Sequence, residues 1–117
     1  MTYLIALERD GYGATLSIRN SGSLWAVRFT WLADCDLGAE GYARPYDDRA
    51  QAICAGVRAL LESLGAADRD QAEHYRPNPA VTGVARQRME RIREWAEALA
   101  AKHRPVARTV PLFGEGA

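Results

Sequence analysis

The first third of the chain alternates apolar and polar residues with a period of two, which is the pattern of β-strands that bury one face. Turn-forming residues interrupt the alternation at Asp10-Gly11 and again at Asn20–Ser23. The pattern therefore predicts three antiparallel strands joined as a meander, with the third running from Leu24 to Leu32. The apolar positions predicted to share the buried face are Tyr3, Ile5, Leu7, Ala14, Leu16, Ile18, Trp25, Val27, Phe29 and Trp31.

The alternation weakens over residues 33 to 46. Gly38, Gly41 and Pro45 lie in this stretch, and neither a helical nor a strand period is sustained across it. We therefore expect a loop here, with a short fourth strand near Gly41 to Arg44 as the alternative.

Two helices are predicted after this loop. Asp47 or Asp48 is placed to cap the first helix, and Gly65 is expected to end it. Residues 68 to 76 could hold another turn or two of helix before the prolines that follow. Apolar residues recur in the first helix at steps of three and four, at Ile53, Cys54, Val57, Leu60, Leu61 and Leu64.

The second predicted helix is long and amphipathic. Asn78 is a suitable cap and Pro79 a suitable first helical residue, and the helical period continues to about His103. Its apolar stripe consists of Val81, Val84, Ala85, Met89, Ile92, Trp95, Ala96 and Leu99.

These elements predict an α+β fold, in which a three-stranded or four-stranded antiparallel meander precedes an amphipathic helix and a long C-terminal helix. Residues 1–103 are expected to form one domain, and residues 104–117 a flexible or docking tail. The predicted core contains Ile5, Leu7, Leu16, Ile18, Trp25, Val27, Phe29, Ile53, Val57, Leu60, Leu61, Ile92 and Leu99.

Composition narrows the class of protein. The 117 residues carry 15 Lys plus Arg and 15 Asp plus Glu, so the formal net charge is zero, and 48% of residues are hydrophobic. This balance is typical of a globular domain and lacks the strong basic excess of most nucleic-acid-binding domains. No apolar run is long enough for a membrane span, and Met1–Leu4 lacks a basic signal-peptide start, so we expect a cytoplasmic protein without membrane contact.

No motif for catalysis, cofactor binding or metal ligation is recognisable. Cys35 lies between Asp34 and Asp36, whose carboxylates disfavour a reactive thiolate, and two histidines in separate segments do not make a zinc motif. Cys54 lies on the apolar side of the first helix and is expected to act as a small hydrophobe. The sequence therefore predicts a protein that is not an enzyme and has no cofactor; an enzyme would have to use Asp34, Cys35, Asp36 and His74.

Three surfaces remain as candidates for binding. The polar sheet face carries Arg19 and Arg28, the basic side of the long helix is rich in arginine, and the segment before the first helix is acidic. Ion pairs at four-residue spacing, Arg86 with Glu90 and Arg93 with Glu97, are expected on the helix. The candidate binding residues are Arg86, Arg88, Arg91, Arg93, Asp34, Asp36, Glu40, Asp47, Arg19 and Arg28.

The favoured hypothesis is a small non-enzymatic interaction or regulatory protein that binds another protein and can form a homodimer through the long helix or the sheet edge. Its size and lack of motifs are typical of accessory proteins of mobile elements or phages, including inhibitors of host nucleic-acid defence. The alternative is a DNA- or RNA-binding module that uses the polar sheet face or the arginine-rich helix.

Overall fold

Four strands and two helices make up the computed structural model, which describes residues 2–34, 37–74 and 79–103. Along the chain they are β1 (Thr2–Arg9), β2 (Tyr12–Ser21), β3 (Leu24–Asp34), β4 (Leu37–Tyr46), α1 (Arg49–His74) and α2 (Pro79–His103). This arrangement confirms the predicted α+β class and the meander followed by a long C-terminal helix. Asn78 and the predicted tail, residues 104–117, lie outside the described residues.

The sheet is antiparallel throughout, with the strands in the order β1-β2-β3-β4. Arg9 pairs with Tyr12 and Ser21 pairs with Leu24, so each of the first two connections is a two-residue turn. Gly11 (φ 83°) and Gly22 (φ 64°) supply the positive φ angles that these tight turns require. Both predicted turns are therefore confirmed.

The predicted loop over residues 33–46 is wrong, because most of this segment forms β4. The alternative of a fourth strand near Gly41 to Arg44 is confirmed, and the strand is longer than predicted. Its register against β3 shifts at two places, between Trp25 and Val27 and between Leu32 and Asp34. A Cβ at Gly41 would lie 2.7 Å from the Phe29 ring, so close packing requires glycine at this position. Glycine is unfavourable inside a strand, and the sequence pattern therefore does not indicate one here. Irregular pairing of this kind hides the period-two pattern that sequence analysis depends on.

Helix α1 begins as predicted and ends later. The backbone N–H of Ala50 donates to Asp48 Oδ1 at 3.1 Å, which identifies Asp48 as the cap. Gly65 does not end the helix, which continues to His74. One glycine costs only about 1 kcal/mol in a helix interior, and the contacts of Leu64 and Ala67 with the core favour the helix on both sides of it.

Both helices pack on one face of the sheet, and the core lies between the two layers. Ten of the predicted core residues are buried, whereas Ile5, Trp25 and Leu61 are partly buried and pack against the core. Val84 belongs to the predicted apolar stripe of α2, but its side chain is 48% exposed at the border of that stripe. Neither α1 nor α2, as far as the structure describes them, has the length and apolar character that a membrane crossing requires.

Candidate functional site

The helices leave one face of the sheet uncovered, and we call it the outer face. Strand register arranges its side chains in rows that cross the sheet. One row contains Leu4, Ser17, Arg28 and Tyr42, and the next contains Ala6, Thr15, Thr30 and Glu40. Two flanking rows contain Glu8, Gly13, Leu32 and Gly38 on one side and Thr2, Arg19 and Ala26 on the other.

Large apolar side chains are exposed on this outer face. Tyr42 is 76% exposed, Leu4 is 68% exposed, and Leu24 and Leu32 are each 45% exposed. They are four of the six large hydrophobic side chains that are exposed within the described part of the chain. Leu4 and Tyr42 lie on opposite edge strands of one row, and Leu24 and Leu32 lie eight residues apart on β3, so the four side chains are spread over the face. Their shared exposure makes the outer face the candidate binding surface.

The charges of the outer face are balanced. Arg28 Nη2 donates to Glu40 Oε1 across the β3–β4 pair. The pKa of Arg28 is raised, first by its hydrogen bond to Glu40 and then by the charges of Glu40 and Tyr42. Within the four rows, Arg19 and Arg28 are matched by Glu8 and Glu40. The face therefore has little net charge.

An open groove of about 440 Å³ lies at the end of the sheet nearest the β1–β2 turn. Glu8, Gly13, Thr15, Thr30 and Leu32 line it on the outer face. Thr15 and Thr30 share a hydrogen bond between their hydroxyl groups in the adjoining row. The groove thus has an apolar side chain, Leu32, and two hydroxyl groups, those of Thr15 and Thr30, in its lining.

Arg88 does not belong to an exposed basic surface. Its Nη1 donates to the backbone carbonyl oxygen of Ala33 at 3.0 Å. Its guanidinium also lies over the Tyr12 ring, 5.7 Å from the centroid, and beside Gly11. The side chain fastens α2 to the sheet, and its guanidinium is engaged by contacts within the chain.

The other arginines of α2 are divided between two sides of the helix. Arg86 and Arg93 follow each other at seven-residue spacing, which places them on one flank of the buried stripe, and Arg91 projects on the opposite flank. Arg93 pairs with Glu90 at 3.4 Å, three residues earlier rather than four residues later. The structure therefore does not gather the predicted basic residues into one patch.

The predicted acidic surface is divided as well. Glu40 is paired with Arg28, and Asp47 is exposed beyond the far end of β4. Asp34 ends β3 at the opposite end of the sheet, about 30 Å away for a strand of this length. Cys35 and Asp36 lie outside the described residues. These acids do not form a single acidic patch.

No group of three or more His, Cys, Asp or Glu side chains lies together in a metal-ligating arrangement within residues that the structure describes. Cys54, as predicted, lies on the packed side of α1, half buried, where its Sγ donates to the carbonyl oxygen of Ala100 at 3.7 Å. Burial, and then the charges of Lys102 and Arg49, lower the pKa of His103.

The alternating pattern placed Arg19 and Arg28 on the polar sheet face, but the exposed apolar residues of this face were not predicted. A signal was present, because Leu4 and Leu32 occupy the polar phase of the alternating pattern, where a leucine is out of place. Tyr42 could not be assigned to a face without the register of β4. Comparison with protein-family models, with curated proteins and with solved structures gives no match.

Proposed function

We propose that the protein is a small non-enzymatic interaction protein that binds another protein through the outer face of its sheet. The observation that carries the proposal is the exposure of Leu4, Leu24, Leu32 and Tyr42 on the sheet face that neither α1 nor α2 covers. Burial of such side chains against a partner is favourable by about 25 cal/mol per Å² of apolar surface.

The β3–β4 half of the outer face is the proposed centre of the interface. Tyr42 and Leu32 lie two rows apart, and the Arg28–Glu40 ion pair lies between them and partly neutralises the intervening surface. Exposed tyrosines beside a paired arginine are a common composition for the centre of a protein interface. The groove beside Leu32 offers a further place for an apolar side chain of the partner.

Affinity capture from the source cells tests this proposal. Immobilised wild-type protein is compared with the Leu32→Ser, Tyr42→Ser double variant and with a matched control, Val84→Ser, which alters a similarly exposed side chain on α2 (48% against 45% for Leu32). We expect a protein that the wild type and the control both retain and that the double variant loses. Equal retention on all three surfaces would contradict an outer-face interface.

Nucleic-acid binding by the same face is the second candidate, and Tyr42 is the observation that favours it. This exposed ring lies directly opposite Arg28 on the neighbouring strand, as a stacking side chain beside a cation would. The pairing of Arg28 with Glu40 and the division of the α2 arginines both weigh against it. Fluorescence anisotropy of labelled DNA and RNA decides between the two, because phosphate contacts would give an affinity that falls steeply with salt.

The narrower hypothesis of a mobile-element or phage protein that inhibits host nucleic-acid defence stays a prediction. It follows from size and absence of motifs, and the geometry of the sheet adds no argument for it. Identification of the captured protein would test it.

A further inference from the structure

The two edges of the sheet differ. Strand β4 pairs irregularly with β3 at two places and contains Gly38, Gly41 and Pro45, features that blunt an edge strand against further pairing. Strand β1 is the other edge. It keeps an unbroken register with β2 over all eight residues, contains neither Pro nor Gly, and carries no charge from Thr2 to Leu7. Among the described residues, no other strand pairs with its outer backbone groups, which form a template for another strand.

The helical layer does not extend fully over β1. The helices pack on β2, β3 and β4. The core-facing side chains of β1 become more exposed from Leu7 toward Tyr3, at the start of the strand. Leu7 is buried, Ile5 is half buried, and Tyr3 is 37% exposed. A pocket of about 190 Å³ lies here, lined by Tyr3, Leu4, Ile5, Ile18, Arg49 and Ile53. The core is thus incomplete along the same edge that lacks a strand partner.

We propose that this edge pairs with the β1 edge of a second copy of the chain, joining two sheets into one antiparallel eight-stranded sheet. A two-fold axis perpendicular to the sheet places the helices of both copies on the same side. Core-facing residues must then oppose core-facing residues, and these are the odd-numbered residues of β1. The axis must therefore lie beside one residue of β1, which directly opposes the same residue of the second copy.

Self-pairing is favoured over an unrelated strand because β1 is complementary to itself. With the axis at Ile5, Tyr3 opposes Leu7 and Leu4 opposes Ala6 of the second copy, so apolar residues meet apolar residues. Glu8 then opposes Thr2, so the two Glu8 carboxylates lie at opposite ends of the interface and no like charges of β1 face each other. The two pockets beside Tyr3 and Ile5 also adjoin at the axis, where each copy can fill the pocket of the other.

The molar mass in solution is the first test. Light scattering during size exclusion, at high micromolar concentration, is expected to give twice the monomer mass of 12.9 kDa. Leu4→Lys places a charge on the edge strand at a position that is 68% exposed and so does not disturb the core. This variant is expected to be monomeric, and the matched control Leu32→Lys, on the same face but away from the edge, is expected to remain dimeric.

Disulfide formation tests the register. In a background with Cys35→Ser and Cys54→Ala, a mixture of the Leu4→Cys and Ala6→Cys variants is expected to form a covalent dimer on oxidation. Directly opposed residues of an antiparallel pair lie about 4.5–5.5 Å apart at Cα, within reach of a disulfide. Each variant alone is expected to stay uncrosslinked, because its cysteines are then displaced by two residues along the strand.

A monomeric wild type, or a dimer that Leu4→Lys leaves intact, would overturn the proposal. Crosslinking of either single variant alone would overturn the axis at Ile5. Because Leu32 and Tyr42 do not lie on β1, loss of dimerisation and loss of partner capture are separate results, and failure of one does not imply failure of the other.

Discussion

Arg88 Nη1 donates a hydrogen bond to the carbonyl oxygen of Ala33 at 3.0 Å, while its guanidinium lies over the ring of Tyr12. One side chain of α2 thus contacts both the end of β3 and the first hairpin. Arg88→Ala leaves a partly buried carbonyl without this donor, and we expect the free energy of unfolding to fall by about 1–3 kcal/mol. Urea unfolding measures this. The exposed Arg91→Ala should change stability by less than about 0.5 kcal/mol, and equal effects of the two variants would mean that Arg88 is not a structural residue.

Two glycine-to-alanine substitutions are expected to have opposite signs. At Gly41 the new Cβ would lie 2.7 Å from the Phe29 ring, so this buried ring must shift within the core, at a cost of about 1–3 kcal/mol. At Gly83, within α2, the Cβ would meet nothing within 4 Å, and the helix should gain about 0.5–1 kcal/mol. Thermal or urea unfolding of the two variants checks both signs. Destabilisation by Gly83→Ala would show that α2 is not helical at this position.

Leu60 lies on α1 with its side chain completely buried against the sheet. Leu60→Ala removes buried methyl groups and leaves a cavity, so we expect a loss of about 2–5 kcal/mol in the free energy of unfolding. Leu24→Ala, at a 45% exposed position of β3, is the matched control and should cost about 0.5 kcal/mol or less. Similar costs for the two leucines would contradict the assignment of the core face of α1.

His103 should make the protein less stable in mild acid. Burial lowers its pKa in the folded state, so below a pH of about 6.5 the unfolded chain binds a proton at this residue more readily than the folded chain does. The contribution of neutral His103 to the stability of the folded protein is complete above a pH of about 6.5. This contribution is lost as the pH falls from there toward the lowered pKa of the folded state. Urea unfolding at pH about 7.5 and 6 should show a smaller acid-induced loss for His103→Gln than for the wild type. An identical loss in the two proteins would exclude this role for His103.

Local patterns predicted those parts of the fold that local chemistry determines. The turn at Asp10-Gly11 follows from positive φ, the start of α1 from the side chain of Asp48, and the core of β2 and β3 from strict alternation. Strand β4 was predicted only as a short alternative near Gly41 to Arg44, because its need for Gly41 comes from Phe29, which is twelve residues away along the chain. Tertiary packing outweighed strand propensity at this position.

The candidate site was less accessible to sequence analysis than the fold. Charged residues were given most weight, yet Arg88 is committed to a backbone carbonyl and Arg28 to Glu40. Which charged side chains remain available to a partner depends on contacts between helices and strands. The helical period of a sequence does not reveal these contacts. The exposed apolar residues depend in the same way on knowing which sheet face the helices cover, and only the three-dimensional structure gives that.

Site-specific photocrosslinking tests the outer-face interface most directly. The photoreactive residue p-benzoylphenylalanine is placed at Tyr42, 76% exposed on the outer face, and in a control protein at Val84, 48% exposed on α2. After irradiation in the source cells, we expect a covalent product with another protein from position 42 and none from position 84. No protein product from position 42, or the same product from both positions, would contradict the proposal that the outer face binds a protein partner.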